Sequence, residues 1–592
     1  DQPRSRGLGD VYKRQLWCLF LFILTGASNP RFELKRREHA LTARQVAEDK
    51  QQAITDLANK AAEKLPNASS YTDAIKKVAK GVLDIPHLDS PTKHSWAKFK
   101  NGLTVDLNAA HPVQVPWFGN LSYSTTPDMP MREDGAWKFI HQEFEGFVMN
   151  KSLVVSDERV HDKPVLLPFF VSNPSTYDPA KIKRVILVFP GKPRDSWKYA
   201  TLVYNVQKWV YQEVEDINPG EVLIISPLVL NQLDLEAGGV YKDENWVAFK
   251  ESNWQSGGHN HFPKLKNPVS FYAMLDKMMD VLFDRQWLPN LNQVVVAGHS
   301  MGGQATVRYA LLKERKPYDN NMKFWVGNPG SYPWLVNSTD KRRPNSHGKN
   351  PVNLEENCRD HIDTWPYGLG GDMDKIPKYA RDRVKQNTSD IISNYRKRHV
   401  HYAFALLDNG AGDTNCAAKY QGYSHLQRGT YFVQMLANMS EGFPVNHSVS
   451  YAPRVSHQDY AMLAQPMAID FIFKKDYNTR HPDISLFPED SKTNNSESSN
   501  GSGDSEVNQE DSSGNDGSSG DEPNSKETNK SSSNSSSFSQ TNQTNGNNSS
   551  SSMDNDKQQY KNRSVGVPMY QINNALLISV ASLWGIVYVL RI

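Results

Sequence analysis

The chain has 592 residues, is 38% hydrophobic, and carries 67 Lys+Arg against 65 Asp+Glu, so its net charge of +2 offers no overall electrostatic footprint for nucleic acid. Its 13 Trp, 25 Tyr and 23 Phe exclude a wholly disordered chain, and none of its three cysteines and 17 histidines form a cluster with the spacing of a structural zinc site. The composition fits one large folded body with polar appendages: a flank and signal peptide over 1–27, a helical N-terminal extension over 28–112, a main domain over 113–485, a Ser/Asn-rich stalk over 486–563 and a C-terminal segment over 564–592.

Lys13 and Arg14 precede the apolar run 16–24, and Thr25-Gly26-Ala27 follows it. This is the layout of a secretory signal peptide, with cleavage expected after Ala27. The apolar run is about half of the ~20 residues that a membrane-spanning helix needs. Residues 40–65 place Ala43, Val46, Ala47, Ile54, Leu57, Ala58, Ala61 and Leu65 at three- and four-residue spacing before Pro66, which predicts an amphipathic helix. Asn-X-Ser/Thr triplets start at Asn67, Asn120, Asn150, Asn337, Asn387, Asn438 and Asn446, and their number beside a signal peptide predicts a glycosylated, exported body.

From about Val113 the pattern changes to short apolar runs. Phe139 to Met149 and Pro164 to Val171 read as an opening antiparallel pair. Val185–Phe189, Val222–Ile225, Val294–Ala297, Phe324–Val326 and Tyr402–Leu407 are near-continuous apolar runs, the mark of strands buried on both faces. Helical stretches at Trp197–Tyr211, Phe271–Phe283 and Gly302–Lys313 alternate with them, so the expected fold class is α/β, a mainly parallel sheet flanked by helices.

Gly298-His299-Ser300-Met301-Gly302 follows one of those strands directly and opens a helix. Alone, Gly-x-Ser-x-Gly is a weak signal; between strand and helix it is specific, because a nucleophile held on a strained turn needs small neighbours where the backbones approach. The amide of Met301 then lies at a helix N-terminus, where an oxyanion would be stabilised. On these residues the chain resembles the α/β-hydrolase family over roughly 135–475. The resemblance implies a Ser-His-Asp acyl-transfer site and no cofactor. It also implies a second oxyanion amide from the loop after the third strand, here Phe189-Pro190-Gly191-Lys192-Pro193, with Lys192 as donor because Pro193 has no N–H.

Family order puts an acid after the seventh strand and a histidine after the eighth. His457 follows the strand-like His447–Tyr451 and precedes a predicted helix Tyr460–Phe473, so it is the expected base; His447 is the lesser candidate, and His425 reads by default as a surface or pocket residue. Asp408, at the end of its strand, is preferred as acid, with Asp413 as the alternative, because reacting groups in open α/β sheets gather outside the carboxyl ends of strands. The expected substrate is a small-molecule or lipid-like ester; the rival readings are a serine peptidase and a catalytically silent surface or adhesion protein on the same fold.

Once the leader is removed, Cys358 and Cys416 remain, and an oxidising compartment predicts a disulfide between them, pinning an insertion of roughly 70 residues between the sixth and seventh strands. The segment Gln232 to Pro263 is long and aromatic for a connection and is a candidate lining for the acyl or leaving-group pocket; its His259 and His261 lack a nearby third metal ligand. From about Pro488 to Met553 the chain is Ser, Asn, Gly, Asp and Glu, a composition too polar to form a core. Ser564-Val565-Gly566, a mixed spacer and the apolar run 575–590 follow, the order of a lipid-anchor signal attached at Ser564; a single-pass helix is the competitor, and both tether the chain to a membrane.

Overall fold

The computed structural model describes residues 49–61, 63, 67–84, 96–98, 104–106, 124, 126–344, 358 and 361–479. Asn120, the Ser/Asn-rich tract, Ser564 and the apolar run 575–590 lie outside the described residues. Among the described residues no helix is long and apolar enough to cross a membrane.

The body is built on eight strands: β1 Phe147–Asn150, β2 Phe169–Ser172, β3 Arg184–Phe189, β4 Val222–Pro227, β5 Gln293–His299, β6 Met322–Gly327, β7 His399–Ala405 and β8 His447–Ala452. Their order is β1-β2-β4-β3-β5-β6-β7-β8, with the two-residue strand Glu143–Phe144 added outside β1. Only the pairings of β2 and that outer strand are antiparallel; from β4 to β8 every neighbour is parallel. This is the α/β-hydrolase fold. The expected antiparallel opening is shorter than its apolar runs, because Lys163–Leu166 pairs in a separate hairpin with Val154–Val160 and only Phe169–Ser172 joins the sheet.

The parallel strands are apolar at successive positions because both faces of the sheet are covered. In β3, Val185, Leu187 and Phe189 enter one core with Val294 and Val296 of β5, while Ile186 and Val188 enter the other with Val295 and Ala297. Helices α4 Phe271–Phe283 and α5 Met301–Leu312 cover the first face and α3 Ser196–Glu213 the second. The predicted helix Tyr460–Phe473 is instead three short turns, Asp459–Leu463, Pro466–Ile469 and Asp470–Lys474, since Pro466 cannot continue the hydrogen-bond ladder.

The N-terminal extension contributes two helices, α1 over residues 49–61 and α2 Ala68–Leu83, capped by Asn67 accepting from the Ser70 amide. They close the edge that β8 would otherwise leave open. Thr55 Oγ1 donates to the carbonyl of Tyr451 (3.0 Å), the Tyr71 hydroxyl donates to the carbonyl of His447, and Gln51 Oε1 accepts from the amide of Arg454 (2.9 Å), three residues before His457.

Between β6 and β7 lies the long insertion, with the helix α6 Lys378–Lys397 broken at Asn387. Cys358 and Cys416 are joined by a disulfide that ties this insertion to the segment after β7. Closing a loop of 58 residues this way restricts the unfolded chain by about 4 kcal/mol in the chain-entropy picture. In the aromatic connection 232–263, Trp246, Phe249 and Trp254 are fully buried in the core, and Trp254 and Phe249 each pack edge-on against Phe271.

Candidate active site

Ser300 sits between β5 and α5 with φ 59° and ψ −121°, a left-handed conformation that a non-glycine residue adopts only when its surroundings impose it. The tightness of the turn explains its glycines. A Cβ on Gly298 would lie 2.2 Å from the carbonyl oxygen of Gly302, and one on Gly302 would lie 2.7 Å from that of Pro190. The second contact brings the loop leaving β3 against the first turn of α5. Ser300 donates its amide to the carbonyl of Gly327 (2.9 Å), and its hydroxyl faces the loop after β8.

That loop carries His457, and the end of β7 carries Asp408. Leu407 donates its amide to the carbonyl of Val455 (2.8 Å), so the two segments leave the sheet side by side. The resulting chain is continuous: His457 Nε2 lies 2.8 Å from Ser300 Oγ, and His457 Nδ1 lies 2.7 Å from Asp408 Oδ2. Because a carboxylate can only accept, Nδ1 carries the proton and Nε2 is left to accept from the serine hydroxyl. Burial alone would depress the His457 pKa, but Asp408, with a smaller contribution from Asp459, outweighs it and raises the imidazole above its ordinary value. Burial would raise Asp408, yet His457 and His425 hold the carboxyl far below the usual range. Asp408 therefore stays ionised although it is fully buried.

Asp413, the alternative acid, is engaged elsewhere. Its Oδ2 accepts from Ser331 (2.8 Å) and Tyr367 (3.0 Å) and its Oδ1 from the amide of Asn415, fixing the start of the disulfide-bearing segment. His447 is buried at the start of β8 among Tyr402 and the Tyr395 carbonyl, where burial pushes its pKa down to about 3. His425, expected at the surface or in a pocket, is instead 5% exposed, with Nδ1 3.0 Å from the other oxygen of Asp408.

Met301 opens α5, so its amide has no partner within the helix. Lys192 is exposed in the turn Gly191–Arg194, closed by the Arg194 amide donating to Gly191 (3.1 Å). That turn is held from outside: the Trp137 indole donates to the Pro193 carbonyl (2.7 Å), and Arg194 is bidentate on the buried Asp234 (2.8 and 2.9 Å).

The motif gave no warning of two further contributors. His299 is buried beneath the elbow, neutral because burial and then the nearby His457 lower its pKa, with Asn328 Nδ2 3.3 Å from its Nε2. Asn328 also accepts from the amide of Ala405 (2.9 Å), bridging the elbow to the end of β7. Among the described residues, the possible metal-ligand cluster is Asp408, His425 and His457, with donor atoms within 4.8 Å of one another. Two of those separations are already 2.7 and 3.0 Å, so a cation at this cluster would have to part His457 from Asp408.

No protein-family model and no curated relative matches this chain. Solved structures resembling it include LpqC, a poly(3-hydroxybutyrate) depolymerase from Bordetella parapertussis, at 18% identity over 57% of this chain and 90% of that one (TM-score 0.35). Others are poly(aspartic acid) hydrolase-1 from Sphingomonas sp. KT-1, at 16% over 50% and 90% (TM-score 0.33), and an IroE-like serine hydrolase from Shewanella oneidensis, at 12% over 55% and 78% (TM-score 0.29).

Proposed function

We propose that this protein is a serine hydrolase that cleaves carboxylic esters through an acyl-enzyme. The observation that carries the reading is the unbroken series Asp408–His457–Ser300, at 2.7 and 2.8 Å, ending on a serine held at positive φ. In the first half-reaction His457 Nε2 takes the hydroxyl proton as Ser300 Oγ attacks the ester carbonyl. The imidazolium so formed is stabilised by Asp408, and the tetrahedral oxyanion lies against the amides of Met301 and Lys192. His457 then returns the proton to the departing alkoxide. In the second half-reaction water repeats the sequence on the acyl-enzyme, releasing the acid and restoring the serine.

A small-molecule or lipid-like ester is the substrate class in this reading. The signal-peptide layout, the sequons and the cystine support an extracellular site of action, and the order of small residues, spacer and apolar tail from Ser564 supports a lipid anchor there. The decisive experiment is labelling with a fluorophosphonate probe: the wild type should react and Ser300→Ala should not. Equal labelling of the two would refute the assignment.

A further inference from the structure

The triad accounts for one imidazole on Asp408 and leaves the other without a role. His425 is the first residue of the helix α7 His425–Asn438, capped by Ser424, and its ring stacks on His457 with centroids 4.1 Å apart and planes 27° apart. The His299 ring also lies against His457, with centroids 4.6 Å apart. The proposed base is therefore in contact with two other imidazoles. His425 Nδ1 lies 3.0 Å from Asp408 Oδ1, not in line for a full hydrogen bond, and neither atom has another polar partner among the described residues.

The surroundings decide the state of this second imidazole. A buried carboxylate at 3.0 Å selects the tautomer with the proton on Nδ1. Burial first, and the nearby His457 among the smaller contributions, lower the His425 pKa, which keeps the ring neutral; a helix N-terminus also disfavours a cation. The ring is enclosed by the loop that follows Asp408. His425 donates its amide to the Gly410 carbonyl (3.0 Å) and Leu426 donates to that of Asp408 (3.3 Å). A Cβ on Gly412, which has φ +60°, would lie 2.4 Å from His425 Nε2. The glycines of Asn409-Gly-Ala-Gly412 thus leave room for an imidazole and little else.

We propose that His425 is a positioning residue of the same site: its Nδ1–H holds Oδ1 of Asp408 so that Oδ2 stays aimed at His457, and its ring forms one wall of the slot in which His457 works. The inference rests on the triad reading. The charged and titratable groups facing this cluster include His299 from the elbow, Tyr332, Arg428 one turn along α7 with Asp413 beyond it, and Asp459, which acts on His457 and is paired with Lys198 at 2.6 Å. Arg428 and Asp413 also hold each other's segments, as Arg428 donates to the Asp413 carbonyl (3.0 Å).

The test compares His425→Leu, which keeps bulk without a donor, with His425→Asn, whose amide nitrogen falls where Nδ1 was. Losing a donor to a buried charged group should lower kcat by about 10- to 100-fold with KM little changed. With the whole carboxylate charge then facing His457, its proton should leave at higher pH, moving the acid limb of kcat/KM upward by about half a unit or more. His425→Asn should recover most of both effects. The same shift should appear in an NMR titration of the His457 Cε1–H, a readout that needs no turnover. A folded His425→Leu with unchanged kcat and unchanged His457 titration overturns the inference, as does a folded His425→Asn that behaves like His425→Leu. Failure of the hydrolase reading looks different: Ser300→Ala and wild type would then label alike, whatever residue 425 is.

Discussion

Asp408→Asn tests the electrostatic logic of the site most directly. The substitution keeps the shape of a side chain that is fully buried and removes its charge. In wild type the imidazolium formed at His457 faces a carboxylate oxygen 2.7 Å from Nδ1. With charge centres about 4 Å apart and an effective dielectric of about 20, the lost attraction is about 4 kcal/mol, or roughly 10³ in rate. The tautomer adds to this. An amide that presents N–H to Nδ1 leaves the ring proton on Nε2, where it cannot accept from Ser300, and losses near 10⁴ in kcat are typical of this change. His425 sharpens the conflict, since the amide NH2 would stand in place of one of the two carboxylate oxygens and so present a donor to one of the two imidazole Nδ1 atoms. The expected result is a folded variant whose kcat on a short-chain p-nitrophenyl ester falls by about 10³ to 10⁴, with a cooperative thermal transition retained. A variant within tenfold of wild type, or an equal collapse in Asp413→Asn, would refute the argument.

Because His457 must be neutral to accept the serine proton and its pKa is raised by Asp408 and Asp459, activity should be present at high pH and lost on acidification, with the midpoint of kcat/KM above about 6.5; a pH–rate profile whose acid limb lies below that value would contradict the assigned charges. If Ser564 carries a lipid anchor, a phospholipase specific for glycosyl-phosphatidylinositol should release the protein from intact cells, whereas recovery of a mature peptide containing Trp584 would establish a spanning helix instead.

The strands were legible because burial on both faces of a parallel sheet leaves an almost uninterrupted apolar run, as in Val294–Ala297, and the elbow because its glycines answer a local steric demand. Asp408 and His457 were legible as positions in a strand order rather than as a pattern. What could not be read was the partnership of side chains brought together from separate elements. His425 stands seventeen residues beyond Asp408 with no periodicity linking them, and only the wrapping of the Asn409–Gly412 loop puts its ring on the carboxylate. The aromatics of 232–263 were ambiguous for a related reason. Aromatic content marks burial, but not whether the buried face meets a pocket or the core, and Trp254 meets Phe271 of α4.

The same distinction bears on the two proposed oxyanion donors. Met301 is held by the helix it opens, so its amide direction is set by regular structure. Lys192 lies on an exposed turn with no ladder to support it, and a donor that wanders cannot stabilise a charge that develops in one place. The chain meets this need from outside the turn. Arg194 has φ +66° and is locked onto Asp234, whose own carboxylate also accepts from the amides of Trp137 (2.9 Å) and Asn231 (2.8 Å). The Trp137 indole fixes Pro193, and Gly239 lets the segment of Trp137 approach, since a Cβ there would lie 2.4 Å from the Trp137 carbonyl. One buried carboxylate thus organises the β3 turn as another, Asp408, organises the imidazoles. Both charges are enclosed: Asp234 is answered by several donors, and Asp408 by the hydrogen bond from His457 with His425 Nδ1 3.0 Å from its other oxygen, and a buried charge so answered can fix geometry without destabilising the fold.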